Sequence, residues 1–203
     1  PIEIIPGKTS VSQVIFRYKG TPLMSQDEIR HTWGKEVYLY KRKRLVGLDK
    51  VLRAGGLEMT FSTKKVFRAK KTDQPIDLTK RNHYNPTDFF EEISGNASLS
   101  LEPKSFYLFG TRETVKLGNV CGELSRENSY VGTGLWSHFA GFFMPGYKGE
   151  ITLECWTPVK RKISHGDPAG IVTLDAVKTL EDIEFEGVYQ DQQAPRLPKV
   201  FKV

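Results

Sequence analysis

The sequence predicts a mainly β protein with one short helix close to its beginning, and three observations carry that reading. First, 18 glycines and 11 prolines divide the 203 residues into many short apolar segments, as in all-β chains. Second, apolar and polar residues alternate with period two, most clearly at Leu57, Met59 and Phe61 within Gly56-Leu57-Glu58-Met59-Thr60-Phe61-Ser62. Third, the clearest helix signal is a single one: Ser25 and Glu28 have capping-box spacing, and Ile29 and Trp33 then share a face.

The elements follow in order. After the helix, Val37 and Leu39 alternate with polar neighbours and predict a strand, as does the 56–62 segment. Residues 73–95 are polar and contain Pro75 and Pro86, so a long loop is expected there despite Phe89-Phe90. Leu99 and Leu101 alternate, Glu102-Pro103-Lys104 turns, and Phe106-Tyr107-Leu108-Phe109 reads as a buried strand, which together predict a hairpin. Val115 to Leu124 has further strand character, and the polar, glycine-containing run from Ser125 to Gly134 predicts a functional loop.

Pro145-Gly146 signals a turn into the strand Glu150-Ile151-Thr152-Leu153-Glu154-Cys155-Trp156. Along that strand Ile151, Leu153 and Cys155 fall on one face, which leaves Glu150, Thr152, Glu154 and Trp156 on the other. A carboxylate beside a tryptophan follows from the pleat. A turn at Gly166-Asp167-Pro168 and the apolar strand Gly170-Ile171-Val172-Thr173-Leu174 come next, and the proline-marked polar stretch from Tyr189 to Pro195 needs a partner surface to become ordered.

Length and composition suit one domain spanning 1–203, folded and soluble, with 38% apolar and 27% charged residues. The opening Pro1-Ile2-Glu3-Ile4-Ile5-Pro6-Gly7 does not read as a secretory signal, and no apolar run is long enough to span a membrane. Two well-separated cysteines, Cys121 and Cys155, argue against a disulfide framework and suit a reducing, cytoplasmic compartment. The net charge of +6 favours anionic partners. The basic clusters Lys41-Arg42-Lys43-Arg44, Lys64-Lys65 to Lys70-Lys71 and Lys160-Arg161-Lys162 accompany no nucleic-acid motif, so solvated strand faces or nucleotide phosphates explain them better than nucleic acid does.

Several chemistries are excluded by pattern. The His-x-Glu and Pro-Cys-x-x-Cys of zinc deaminases have no counterpart, and His31, His83, His138 and His165 lack zinc-site spacings, so no zinc is expected. Phosphate-loop, dinucleotide-fingerprint and nucleophile-elbow motifs are also missing. Ser137 and His138 are adjacent on a predicted strand and point to opposite faces, which rules against a dyad.

The segment from Ser125 to Glu154 resembles the central block of deoxycytidine triphosphate deaminases, members of the trimeric dUTPase-like superfamily. That block pairs an Arg-Ser-Ser loop with a His, an Ala-Gly, an Asp-Pro-Gly turn and an Ile-Thr-Leu-Glu. The matching residues are Arg126, Ser129, Gly134-Leu135, His138, Ala140-Gly141, Pro145-Gly146-Tyr147-Lys148-Gly149 and Ile151-Thr152-Leu153-Glu154. Weaker similarities extend outward, at Leu23 to Ile29, at Gly56 to Phe61, at Leu101 to Phe106, and at Tyr189-Gln190-Asp191-Gln192, which resembles the family's Tyr-Gln-Gly-Gln.

The resemblance implies a distorted β-barrel of the dUTPase-like β-clip type and a homotrimer with sites between subunits. It also implies a deoxynucleoside triphosphate bound with magnesium: dCTP, with dUTP or dTTP as further candidates. By the same resemblance Glu154 activates water for attack on cytosine C4, giving dUTP and ammonia. Arg126 and Ser129 meet phosphate, and the backbone at Phe139, Ala140 and Gly141, beside His138, reads the base. Tyr147 packs near the sugar, and Tyr189 and Gln192 close over the nucleotide from a tail spanning 186–203. Glu127-Asn128, Val131-Gly132 and Met144 depart from the family pattern. Two alternatives therefore stay open: a catalytically degenerate nucleotide-binding or regulatory protein on the same scaffold, and a dUTP diphosphatase, which the loss of an aspartate at Met144 disfavours.

Overall fold

A computed structural model describes residues 24–53, 56–80, 83–126, 132–138, 141–176, 189–198 and 201. In chain order these form α1 (Gln26–Thr32), β1 (Val37–Lys41), β2 (Arg44–Leu45), α2 (Leu48–Val51), β3 (Leu52–Arg53), β4 (Gly56–Ala69), α3 (Pro86–Phe89) and β5 (Phe90–Ile93). They continue with β6 (Ser98–Leu101), β7 (Ser105–Leu117), β8 (Val120–Arg126), β9 (Trp136–His138), β10 (Phe142–Phe143), β11 (Lys148–Thr157), β12 (Arg161–Ser164) and β13 (Pro168–Ala176). The architecture is mainly β, as the sequence predicts.

The capping box at α1 is formed: Ser25 Oγ accepts from the Glu28 amide at 3.3 Å, and Glu28 Oε2 accepts from the Ser25 amide at 2.7 Å. These bonds satisfy donors that a helix start leaves unpaired. The helix buries Ile29 in the main core, a burial that stabilises by about 1.5–3 kcal/mol.

One antiparallel sheet runs β10-β8-β13-β4-β7, with β11 and β1 both lying against β7 and β9 against β11. The sheet curls without closing, a distorted barrel. Its curvature comes from β4, whose first half pairs with β13 and whose second half pairs with β7, with a register shift between Ser62 and Val66. At that bulge the Thr63 backbone exchanges bonds with Gly95 and His165, so the groups freed from the ladder are satisfied. Residues 107–111 of β7 are buried on both faces, and Tyr107, Phe109, Phe61, Leu57 and Leu153 lie in the core.

A buried carboxylate ties three strands together. Glu113 of β7, 1% exposed, accepts from the Thr60 amide at 2.8 Å, from Thr60 Oγ1 at 2.7 Å and from Lys41 Nζ at 2.8 Å. The neighbouring basic cluster is the tip of the β1–β2 hairpin, where Arg42 and Lys43 both take positive φ.

Three expectations are corrected. The 97–109 region is no hairpin, because β6 pairs with β12 while β7 pairs with β4, β1 and β11. The turn at Glu102-Pro103-Lys104 therefore sends the chain from one sheet to another. The 73–95 region is extended loop only in its first part, since residues 86–93 form α3 and β5, and β5 extends the edge of β4 from Val66 to Ala69. Asn85 caps α3 and Pro86 occupies its first turn, where a missing amide donor costs nothing. Finally, α2 is a second short helix that no start signal announced, Gly47 making no side-chain cap bond. Among the described residues no helix is long and apolar enough to cross a membrane.

Candidate active site

The site is organised by β11. Its burial alternates strictly from Gly149 to Thr157, with Ile151, Leu153 and Cys155 inward and Glu150, Thr152, Glu154 and Trp156 on the half-exposed face. A turn places Tyr147 just upstream: Gly146 takes φ of 79°, and the Tyr147 amide donates to the Met144 carbonyl at 3.1 Å. A positive φ at the third turn position is what glycine supplies without steric cost.

Glu154 and Thr152 open onto a cleft of about 240 Å³, whose other walls include Leu108, Phe142, Met144, Tyr147, Tyr189, Gln192 and Arg196. Four residues chosen from sequence, Glu154, Tyr147, Tyr189 and Gln192, are thus brought to one place. Gln192 is 3% exposed and donates from Nε2 to Thr152 Oγ1 at 2.7 Å, and the Glu150 amide donates to the Gln192 carbonyl at 2.8 Å. The Asp191 amide donates to the Lys148 carbonyl at 2.7 Å, and the Lys148 ammonium pairs with the Asp191 carboxylate. The 189–198 segment therefore docks by pairing with the edge of β11 at Gly149 and by bonding Thr152 on its half-exposed face.

Burial, then the Glu150 charge, pushes the Tyr147 phenol well above its usual range, so it stays a neutral donor, bonded to the Glu150 carbonyl at 2.9 Å. Burial also raises the Glu150 carboxyl, helped by the charge of Glu113 and opposed by Lys64.

The remaining candidates are distributed around this cleft. His138 of β9 stands opposite Glu154 in register, and Arg126 ends β8 opposite Gly170 of β13; the side chains of both lie outside the described residues. Ser129, Phe139 and Ala140 lie outside them too. Gly141 does not line the cleft; its carbonyl accepts from the Leu124 amide at 2.8 Å. Trp156 shares the half-exposed face with Glu154, as the pleat predicts, but it does not line the cleft. It packs on Trp136 with ring centres 5.4 Å apart, and the apolar wall beside Glu154 comes from Leu108, its partner across the ladder, and from Phe142 and Met144. Sequence reasoning missed Thr152 and Arg196 as site residues, although alternation had placed Thr152 on the right face. Among the described residues no group of three His, Cys, Asp or Glu side chains could hold a metal ion.

Known proteins resemble this chain in sequence and in fold. The family model for the 2'-deoxycytidine 5'-triphosphate deaminase (DCD) C-terminal domain matches residues 38–156. A dUMP-forming dCTP deaminase of Tropheryma whipplei (strain Twist) is 42% identical over 65 residues, which are 31% of this chain and 33% of that protein. A dUMP-forming dCTP deaminase of Persephonella marina is 29% identical over 112 residues, 54% of this chain and 62% of the relative. A dCTP deaminase of Aeropyrum pernix is 27% identical over 154 residues, 74% of this chain and 83% of the relative. The match thus spans a third of the Tropheryma protein's length and under two thirds of the Persephonella protein's. The crystal structure of 2'-deoxycytidine 5'-triphosphate deaminase from Agrobacterium tumefaciens superposes with a TM-score of 0.64 at 22% identity. It covers 81% of this chain and 51% of that one, and shows that the fold is shared. With the family model extending over more than half of the residues, and through the strand that carries Glu154, this chain belongs to the 2'-deoxycytidine 5'-triphosphate deaminase family.

Proposed function

We propose that the chain catalyses hydrolytic deamination of dCTP to dUTP and ammonia, with Glu154 as the proton-transferring group. The observation that carries this reading is the meeting of Glu154 with Tyr147, Tyr189 and Gln192 around one cleft. Glu154 takes a proton from water as the water oxygen attacks cytosine C4. It then passes protons to the exocyclic amine, which leaves as ammonia, and the C4 oxygen becomes the uracil carbonyl. The neutral Tyr147 ring offers a face to the sugar, and the docked 189–198 segment adds Tyr189, Gln192 and Arg196 to the cleft wall around the nucleotide.

Magnesium would arrive with the triphosphate and, when bound, would neutralise charge on the phosphate oxygens. Among the described residues no group of three His, Cys, Asp or Glu side chains could hold a metal ion, which suits an ion that the nucleotide's own phosphate oxygens and water would hold. Water activation by Glu154 needs no zinc.

Two relatives are called dUMP-forming, which adds loss of pyrophosphate to deamination. Met144 in the cleft wall favours the shorter reaction, because a thioether cannot activate the second water. Met144 is also what supports the second reading, a nucleotide-binding protein without turnover. One experiment separates these: protein, magnesium and dCTP or dUTP, with ammonia and pyrophosphate followed separately, beside Glu154→Gln. Ammonia from the wild type, reduced about 100- to 10,000-fold in the variant, supports the deaminase. Pyrophosphate in step with ammonia supports dUMP formation. Nucleotide binding with neither product overturns the enzymatic reading.

A further inference from the structure

Residues 83–93 meet Leu197 and Phe201 at a place distant in sequence from Glu154 and apart from the main core. Phe201, 2% exposed, fills a socket of Tyr84, Phe89 and Phe90, with ring centres 5.4 Å from Phe89 and 5.5 Å from Phe90, the latter edge-on. Leu197 packs against the same cluster, and Tyr84 and Phe201 form a parallel bridge. The socket is held firmly: β5 is laddered to β4 from Val66 to Ala69, and the Tyr84 hydroxyl accepts from the Asp77 amide at 2.8 Å.

Between socket and cleft, two glycines shape the seat of the docked 189–198 segment. A β-carbon on Gly110 of β7 would lie 3.0 Å from Pro195 Cδ. One on Gly149 of β11 would lie 3.2 Å from both the Gln192 nitrogen and the Tyr189 oxygen. Side chains at these positions would lift the segment from the sheet.

We infer that Phe201 is a positioning residue, with residues 84–90 as its socket. By plugging the socket, Phe201 holds Tyr189, Gln192 and Arg196 against the cleft. The physical reason is local. The segment's bonds to β11 all come from residues 190–196 and several are exposed, the class of contact that opens most readily, and a buried aromatic anchor nine residues beyond Gln192 limits how far the segment can swing. The kinetic consequence rests on the deaminase reading; the anchoring does not.

The test compares Phe201→Ala and Phe201→Leu with the wild type by amide hydrogen exchange and by steady-state kinetics with dCTP and magnesium. Exchange over 189–196, and at the Glu150 amide that donates to Gln192, is expected to quicken about tenfold in Phe201→Ala and less in Phe201→Leu, while β7 amides keep their protection. KM is expected to rise about fivefold with kcat changed less than about twofold, because catalysis at Glu154 is untouched and only closure over the ligand is weakened. Unchanged exchange over 189–196 in both variants overturns the anchor. Equal acceleration in β7 overturns it as well, since Phe201 would then support the whole fold. Faster exchange with unchanged KM overturns the positioning role. The exchange arm needs no nucleotide, so it decides the anchor even where the wild type releases no ammonia.

Discussion

Glu113 illustrates what one buried charge does in this molecule. Its carboxylate receives an amide, a hydroxyl and an ammonium from two other strands, so truncation strands the Thr60 amide and the Lys41 charge together. Glu113→Ala is expected to lower stability by about 3 kcal/mol, read by urea unfolding. Glu150 acts in the opposite sense. Burial first, then the Glu113 charge, raises its carboxyl, so the folded state holds its proton more tightly than the unfolded chain. The contribution of this group is fully present below the ordinary carboxylate range, near about pH 4, and is lost as pH rises through the raised value. Glu150→Gln is therefore expected to raise Tm at pH 7 and to lose that advantage near pH 4, in paired thermal melts. At this scale the sequence was informative where alternation decides. The period-two pattern from Ile151 to Trp156 placed Glu154 and Thr152 on an open face. It could not say that Trp156 turns to Trp136, because a pleat gives the face and not the lateral neighbour. Arg196 was invisible for a related reason: only docking of 189–198 brings it to the cleft.

At the scale of elements, local signals worked where the chemistry is local. The Ser25–Glu28 box is formed as its spacing predicts, and Ser25→Ala is expected to cost about 1 kcal/mol by chemical denaturation. The failed hairpin at 97–109 shows the limit. Glu102-Pro103-Lys104 does turn, with Lys104 at positive φ, yet β6 finds β12 some sixty residues away. A turn motif reports a change of direction and carries no information about the partner strand. The 86–93 elements were masked by proline and polar composition, although Pro86 after Asn85 is a helix-start pattern. Gly149→Ala addresses the docked segment directly. Its β-carbon would lie 2.9 Å from the Tyr147 hydroxyl and 3.2 Å from backbone atoms of Tyr189 and Gln192, so protease cleavage within 189–198 is expected to accelerate several-fold while the far-ultraviolet circular dichroism is unchanged.

The whole molecule is built around β7, which carries β4 and β1 along one edge and β11 along the other. That arrangement was legible as class and not as order: glycine, proline and alternation announce strands, whereas pairing is settled by burial of long-range faces. The proposed homotrimer belongs to this scale. Phe142 in the cleft wall is 44% exposed and Trp136, packed on Trp156, is 62% exposed, large apolar surfaces that assembly of three copies would cover. Light scattering is expected to give three times the chain mass, and Trp136→Glu to shift the population toward smaller species.

Cys155, inward on β11 next to Glu154, is fully buried, and its thiol is pushed up by that burial first and by the Glu154 charge second. A thiol held protonated and out of solvent is inert to disulfide reagents until its strand detaches from β7. The strand that bears the proposed catalytic carboxylate thus contains its own clock. The rate at which a disulfide reagent titrates Cys155 in the native protein counts openings of β11, and nucleotide that fills the cleft slows that count in proportion to its occupancy.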